Sequence, residues 1–226
     1  MSRLSYPSAG EARPAALPPE RRTVGQLVAE SIQLYGRRFW PSLALGVPAA
    51  AIVALGAWLG GAAEVAAVLV GGSALSSAAL VGAVAIAHPA PRARASLATA
   101  FAVGLAVFAP ALVARLVVFP GIYPVALAWL AATMLAVPAL LVEGTSVPAS
   151  FRRSLQLARA DAVHVVGGLA TLTVAIVLTA LVLTFLLRGF ADQELRLAAM
   201  LALLVVTPLF FLGAALLYVD QAARVK

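Results

Sequence analysis

The chain has 226 residues, 63% of them hydrophobic and only 11% charged, with a formal net charge of +7 and no cysteine. Soluble domains carry roughly 25% charged residues, so this composition excludes an ordinary water-soluble globule, and the lack of thiols excludes disulfides, thiolate nucleophiles and cysteine metal sites. Arginine outnumbers lysine fifteen to one, which fits a GC-rich bacterial genome better than a binding role.

Residues 1–22 contain four prolines and no apolar periodicity, which predicts a disordered tail. A signal peptide needs an apolar core directly after its basic start. Here the first long apolar run begins near Pro41, so the amino terminus is expected to stay cytoplasmic.

Residues 23–39 predict an amphipathic helix. Val24, Val28, Ile32, Tyr35 and Phe39 recur at helical spacing, and Thr23 followed by Gln26 has the form of a capping box. Arg37, Arg38 and Trp40 would lie at headgroup level, with the helix either in the membrane interface or packed on the bundle as a cap.

Six apolar stretches follow, near 41–60, 65–87, 100–119, 122–142, 163–187 and 197–219. Each has the roughly 17 to 25 residues that a membrane-spanning helix needs. In hydrocarbon every peptide group must be satisfied inside the chain, so runs of this length imply helices. The fold class is all-α: a six-helix integral membrane bundle formed by residues 23–226. Thirteen of the 16 basic residues fall before the first span, between the second and third, between the fourth and fifth, or after the last. By the positive-inside rule both termini are then cytoplasmic, in a bacterial plasma membrane.

Residues 146–160 repeat the pattern of the first amphipathic segment, with an expected stripe of Val147, Phe151, Leu155, Ala158 and, beyond it, Ala162. At an offset of 123 residues, Ser31, Gln33 and Leu34 fall on Ser154, Gln156 and Leu157. Ser96, Leu97, Phe101 and Leu105 form a degenerate third copy, so the chain reads as three units, each an interfacial helix followed by a transmembrane hairpin.

Few residues qualify for chemistry. His88 and His164 each sit near the cytoplasmic end of a span, and a metal or acid/base site would need both brought to a carboxylate such as Asp161, which their spacing does not require. No catalytic residue, metal or cofactor is expected. Gly71-Gly72 and Gly167-Gly168 lie inside apolar spans and are not phosphate loops. Gly56 to Gly60 has the GxxxG form of a close helix contact, and Ser73, Ser76 and Ser77 suit hydrogen bonds across helices. Arg115 is the one charge well inside a span. It is about four residues from the external end, roughly 6 Å, so it either snorkels outward or meets an anion or lipid headgroup in the outer leaflet, paired with Glu64.

At the cytoplasmic edge, Glu143, Ser154, Tyr218, Asp220 and Arg224 are candidates for a structural polar network. Arg37, Arg38, Arg152, Arg153 and Arg159 are candidates for contacts with lipid or a partner. A basic group near an anionic leaflet contributes about 1 kcal/mol. The same charges satisfy the positive-inside rule, so nucleic acid is not an expected partner.

Several motifs together resemble a known family. They are Phe119-Pro120-Gly121-Ile122, Pro138 through Leu141 leading to Val142-Glu143-Gly144, Ser150-Phe151-Arg152-Arg153-Ser154-Leu155-Gln156-Leu157, and Leu217-Tyr218-Val219-Asp220 with Arg224. In this order around the spans, over residues 23–226, the chain resembles the membrane domain of glycerophosphoryl diester phosphodiesterases and its free-standing prokaryotic relatives. The resemblance implies a six-helix membrane module without catalytic residues of its own, since the phosphodiesterase chemistry of fused members resides in a separate soluble barrel. The expected function is a non-catalytic module that binds membrane lipids, anionic headgroups foremost, or an envelope or lipid-metabolism protein. The alternative is a small transporter or channel, suggested by the internal repeat.

Overall fold

The computed structural model describes residues 18–19, 22–88, 97–116, 121–189 and 192–225. Among these residues all regular structure is helical. Most of the expected tail, Arg92 and Arg94, Phe119 and Pro120 of the Phe119 to Ile122 motif and Ser96 of the degenerate third copy lie outside the described residues.

Helix α1 (Val24–Arg37) begins at a complete capping box, in which the Gln26 amide donates to Thr23 Oγ1 and the Thr23 amide donates to Gln26 Oε1. The chain breaks at Arg38 and enters the first span, made of α2 (Phe39–Leu43), a 3-10 turn at Ala44–Gly46 and α3 (Val47–Trp58). That turn tightens where Pro48 has no N–H to offer the Ala44 carbonyl. The second span joins α4 (Gly61–Ala66), a π-helical stretch at Ala67–Gly72 and α5 (Ser73–Ala87). The third is α6 (Leu97–Leu116). The fourth is α7 (Ile122–Thr133) and α8 (Ala136–Glu143), broken at Met134 and Leu135 because Pro138 cannot bond the Met134 carbonyl. After Gly144, whose φ of 68° provides a left-handed helix end, come α9 (Val147–Ala160), α10 (Ala162–Leu186) and α11 (Asp192–Arg224). Six of these helical segments are long and apolar enough to cross a membrane, which makes this a multi-pass membrane protein. The last continues past the expected boundary at 219, so Asp220 and Arg224 are helical.

Packing arranges the spans as a ring of three hairpins. The second span of each hairpin packs against the first span of the next: α5 on α6, α7 on α10, and α11 back on α3. The three second spans also meet one another, α5 with α8 and α11, and α8 with α11. Their most apolar windows are 44, 56 and 44% buried, against 22, 33 and 11% for the first spans, so the second spans form the interior and the first spans the rim. Leu80, Ala83 and Val84 of α5, Val137, Leu140 and Leu141 of α8, and Leu212, Ala215 and Leu217 of α11 are each at most 2% exposed.

The ring closes at a single tight crossing. A Cβ built on Gly46 would lie 1.9 Å from the Leu204 carbonyl oxygen of α11, an oxygen that Pro208 leaves without its usual helical donor. Gly56 and Gly60 do not make such a contact. A Cβ on Gly60 would meet nothing within 4 Å, and one on Gly56 only Glu64 Oε1 at 3.6 Å, so the expected GxxxG interface is replaced by the Gly46 crossing. Of the expected bridging serines, Ser77 donates to the Phe101 carbonyl of α6 at 2.6 Å, whereas Ser73 bonds the Leu69 carbonyl of its own span.

The two amphipathic helices occupy matching positions. Both have 14 residues, their ends differ by 123, and each is followed by a break at the equivalent residue, Arg38 or Asp161. Helix α1 covers the third hairpin by packing on α10 and α11, and α9 covers the second by packing on α7 and α8. The faces they bury overlap the expected stripes only in part. On α1 the bundle takes Leu27 and Ser31, with Val28, Leu34 and Tyr35 against the core, and leaves Ile32 exposed, as is Phe39 just beyond the helix. On α9 it takes Ser150, Ser154 and Leu157, with Phe151 and Ala158 against the core, and leaves Val147 and Leu155 exposed. Fully burying a leucine is worth about 2 kcal/mol, which favours docking on the bundle over lying free in the interface; Ile32, Val147 and Leu155 face outward.

Candidate functional site at the polar end of the bundle

The ends of α5, α8 and α11, together with α1 and α9, bring the ion pairs found among the described residues to one end of the bundle. Asp220 of α11 is fully buried. A buried carboxylate is tolerated only with a close partner of opposite charge. Arg22, just ahead of the α1 cap, supplies it through Nη1 at 2.8 Å, while its Nε lies 3.0 Å from Glu30 Oε1 on the same helix. Arg224, one turn beyond Asp220, donates to the Arg22 carbonyl at 2.7 Å and pairs with Asp161. Asp161 in turn caps α10 by accepting the His164 amide at 3.0 Å. The His164 imidazole lies against both groups, Nε2 at 3.9 Å from Asp220 Oδ2 and Nδ1 at 3.5 Å from Arg224. This chain of contacts fastens α1 and the start of α10 to the end of α11.

A second, more open fastening holds α9. Glu143 Oε1 accepts from Arg153 Nε at 3.0 Å and from the Tyr218 hydroxyl at 2.9 Å. The His88 ring, at the end of α5, meets the Tyr218 ring edge-on with centroids 6.4 Å apart. Burial pushes the His88 imidazole below its ordinary value and the Tyr35 phenol on α1 above its own. Gln221 is fully buried beside these groups, and neither of its amide atoms has a partner among the described residues.

Glu143, Tyr218, Asp220 and Arg224 are therefore brought into the expected network, in two branches. Ser154 is not part of it: its hydroxyl donates to the Ala132 carbonyl of α7 at 2.7 Å, serving one of the acceptors that the α7–α8 break leaves free. Arg153, expected at the lipid surface, is held by Glu143. Arg37, Arg38, Arg152 and Arg159 are exposed and form no ion pair among the described residues. Arg115 lies in the last turn of α6, and its side chain is outside the described residues.

Sequence reasoning missed Arg22 and Glu30. The one available signal was an arginine directly before a capping box, eight residues ahead of a glutamate on an otherwise uncharged stretch. The two histidines do not share a carboxylate in any contact described, and among the described residues no three His, Asp or Glu side chains are placed to hold a metal ion.

Exposed aromatic rings accompany the unpaired arginines. The half-buried Tyr35 meets the exposed Phe39 at a tilt and Phe39 meets Trp40 edge-on, with centroids 5.5 and 5.2 Å apart, and Trp40 is 76% exposed beside Arg37 and Arg38. Aromatic rings next to basic groups at the end of a span suit the membrane–water boundary. Compared with protein-family models, with curated proteins and with solved structures, the chain matches none.

Proposed function

We propose that the protein is a non-catalytic membrane module whose basic end lies at the cytoplasmic face of a bacterial plasma membrane and binds anionic lipid headgroups, presenting α1 and α9 to an envelope or lipid-metabolism partner. The observation that carries the reading is a division among the arginines. Arg22, Arg153 and Arg224 are consumed by carboxylates, whereas Arg37, Arg38, Arg152 and Arg159 stand exposed on the two interfacial helices beside Ile32, Phe39 and Trp40. Apart from the hydroxyls of Ser73, Ser76, Ser77 and Thr207, the described buried positions of α5, α8 and α11 away from the polar end are apolar and none is charged, which favours this over a transporter with a charged midplane site. In this reading the chain is related to the phosphodiesterase membrane domain it resembles.

Native mass spectrometry of protein extracted gently from its own membranes tests the proposal. The wild type is expected to retain anionic lipid, and the Arg37→Gln/Arg38→Gln/Arg152→Gln/Arg159→Gln variant to lose most of it while keeping its helical content. Equal retention by the two proteins would contradict the reading.

A further inference from the structure

The equivalence of α1 and α9 extends across their breaks into the spans that follow. At the 123-residue offset, Phe39, Trp40, Leu43 and Ala44 at the head of the first span correspond to Ala162, Val163, Val166 and Gly167 at the head of α10. In the first unit, two large, exposed aromatic side chains stand at this level. In the third, smaller residues stand there, and the same four line an apolar groove of about 480 Å³. Val163 is 86% exposed, and Val24 in the first turn of α1 approaches Gly167, so the groove runs along α10 beside the interfacial helix. Arg159, exposed and without an ion pair among the described residues, ends α9 four residues before Val163. Four residues span at most about 14 Å, well within the combined reach of an arginine side chain and a lipid glycerol.

We infer that this groove is a specific site for one anionic glycerophospholipid, with its phosphate on Arg159 and the upper part of an acyl chain against Ala162, Val163, Val166 and Gly167. The inference rests on the headgroup-binding reading and narrows it to one location. Charge decides the occupant: the apolar groove takes a hydrocarbon chain, and the neighbouring free guanidinium takes an anion, a combination that one molecule of membrane lipid supplies.

Refilling the groove with the first unit's own residues is the test. Wild type, Ala162→Phe/Val163→Trp and Arg159→Gln would be purified, supplied with dioleoylphosphatidylglycerol or dioleoylphosphatidylcholine, and compared by native mass spectrometry, with thermal unfolding as a check on the fold. The wild type should hold one phosphatidylglycerol in preference to phosphatidylcholine, and each variant should hold at least fivefold less. Undiminished phosphatidylglycerol in the refilled variant overturns the groove assignment, and undiminished preference in Arg159→Gln overturns the phosphate assignment. If instead retention falls only in Arg37→Gln/Arg38→Gln, the headgroup reading stands and this site falls. If the wild type holds no phosphatidylglycerol, the headgroup reading itself fails.

Discussion

Helices α1 and α9 share a length, a break after the last turn and a serine–leucine pair facing the bundle, yet charges in different surroundings hold them. The α1 fastening joins Arg22, 14% exposed, to a fully buried Asp220; the α9 fastening joins Arg153 and Glu143, each about a quarter exposed. A buried pair is strongly destabilising to break, because it strands a charge away from water. A half-exposed pair contributes little. The same element, used twice, is thus pinned firmly at one position and loosely at the other.

Removing the buried partner should break this comparison most severely. Asp220→Ala leaves Arg22 with Glu30 as its remaining carboxylate and removes the charged hydrogen bond to α11, and is expected to cost on the order of 2 kcal/mol. Thermal unfolding would report the loss, and faster amide exchange should be concentrated in residues 24–37. Glu143→Ala frees Arg153 toward solvent but also leaves the Tyr218 hydroxyl without its acceptor, for about 1.5 kcal/mol in total, with the change in exchange confined to α9 and its contacts. If both variants loosened α1 equally, the two fastenings would not be separate.

The serines sharpen the comparison at lower energy. Ser31 donates to the Leu27 carbonyl of its own helix, whereas Ser154 donates to Ala132 on another. Ser154→Ala should therefore cost about 1 kcal/mol, and Ser31→Ala close to nothing, in the same unfolding measurement. The smallest effect belongs to His88. Its depressed folded-state value means that the unfolded chain takes up the proton first on acidification. Stability from this residue is full above about pH 6.5 and declines as pH falls below it, until the folded form is protonated as well. Wild type should lose more melting temperature than His88→Gln between pH 7.5 and 5.5; parallel losses would remove His88 from the account.

The spans were legible in the sequence because length and hydropathy alone define them. The ring was not. The inner spans have mean hydropathy 1.9, 2.3 and 2.5 and the rim spans 1.7, 2.2 and 2.5, so apolarity does not distinguish protein-facing from lipid-facing helices. The interfacial stripes were right only in part, at Val28, Tyr35, Phe151 and Ala158, for a related reason: both bundle and lipid accept apolar side chains, while the bundle-facing positions include Ser31, Ser150 and Ser154, which read as polar. The polar network was partly legible, because Glu143, Tyr218, Asp220 and Arg224 cluster at span ends. Arg22 was assigned to the proline-rich tail, since its partner lies 198 residues away and nothing local announces the pair.

The central claim is that the end carrying α1, α9 and the free arginines faces the cytoplasm. The chain has no cysteine, so single cysteines can be read without background. Gln33→Cys on the exposed face of α1 and Gly189→Cys in the turn after α10 mark the two ends of the bundle. In spheroplasts treated with a membrane-impermeant maleimide, the account predicts labelling at position 189 and at position 33 only after lysis. Labelling of Gln33→Cys in intact spheroplasts, with Gly189→Cys protected, would contradict it.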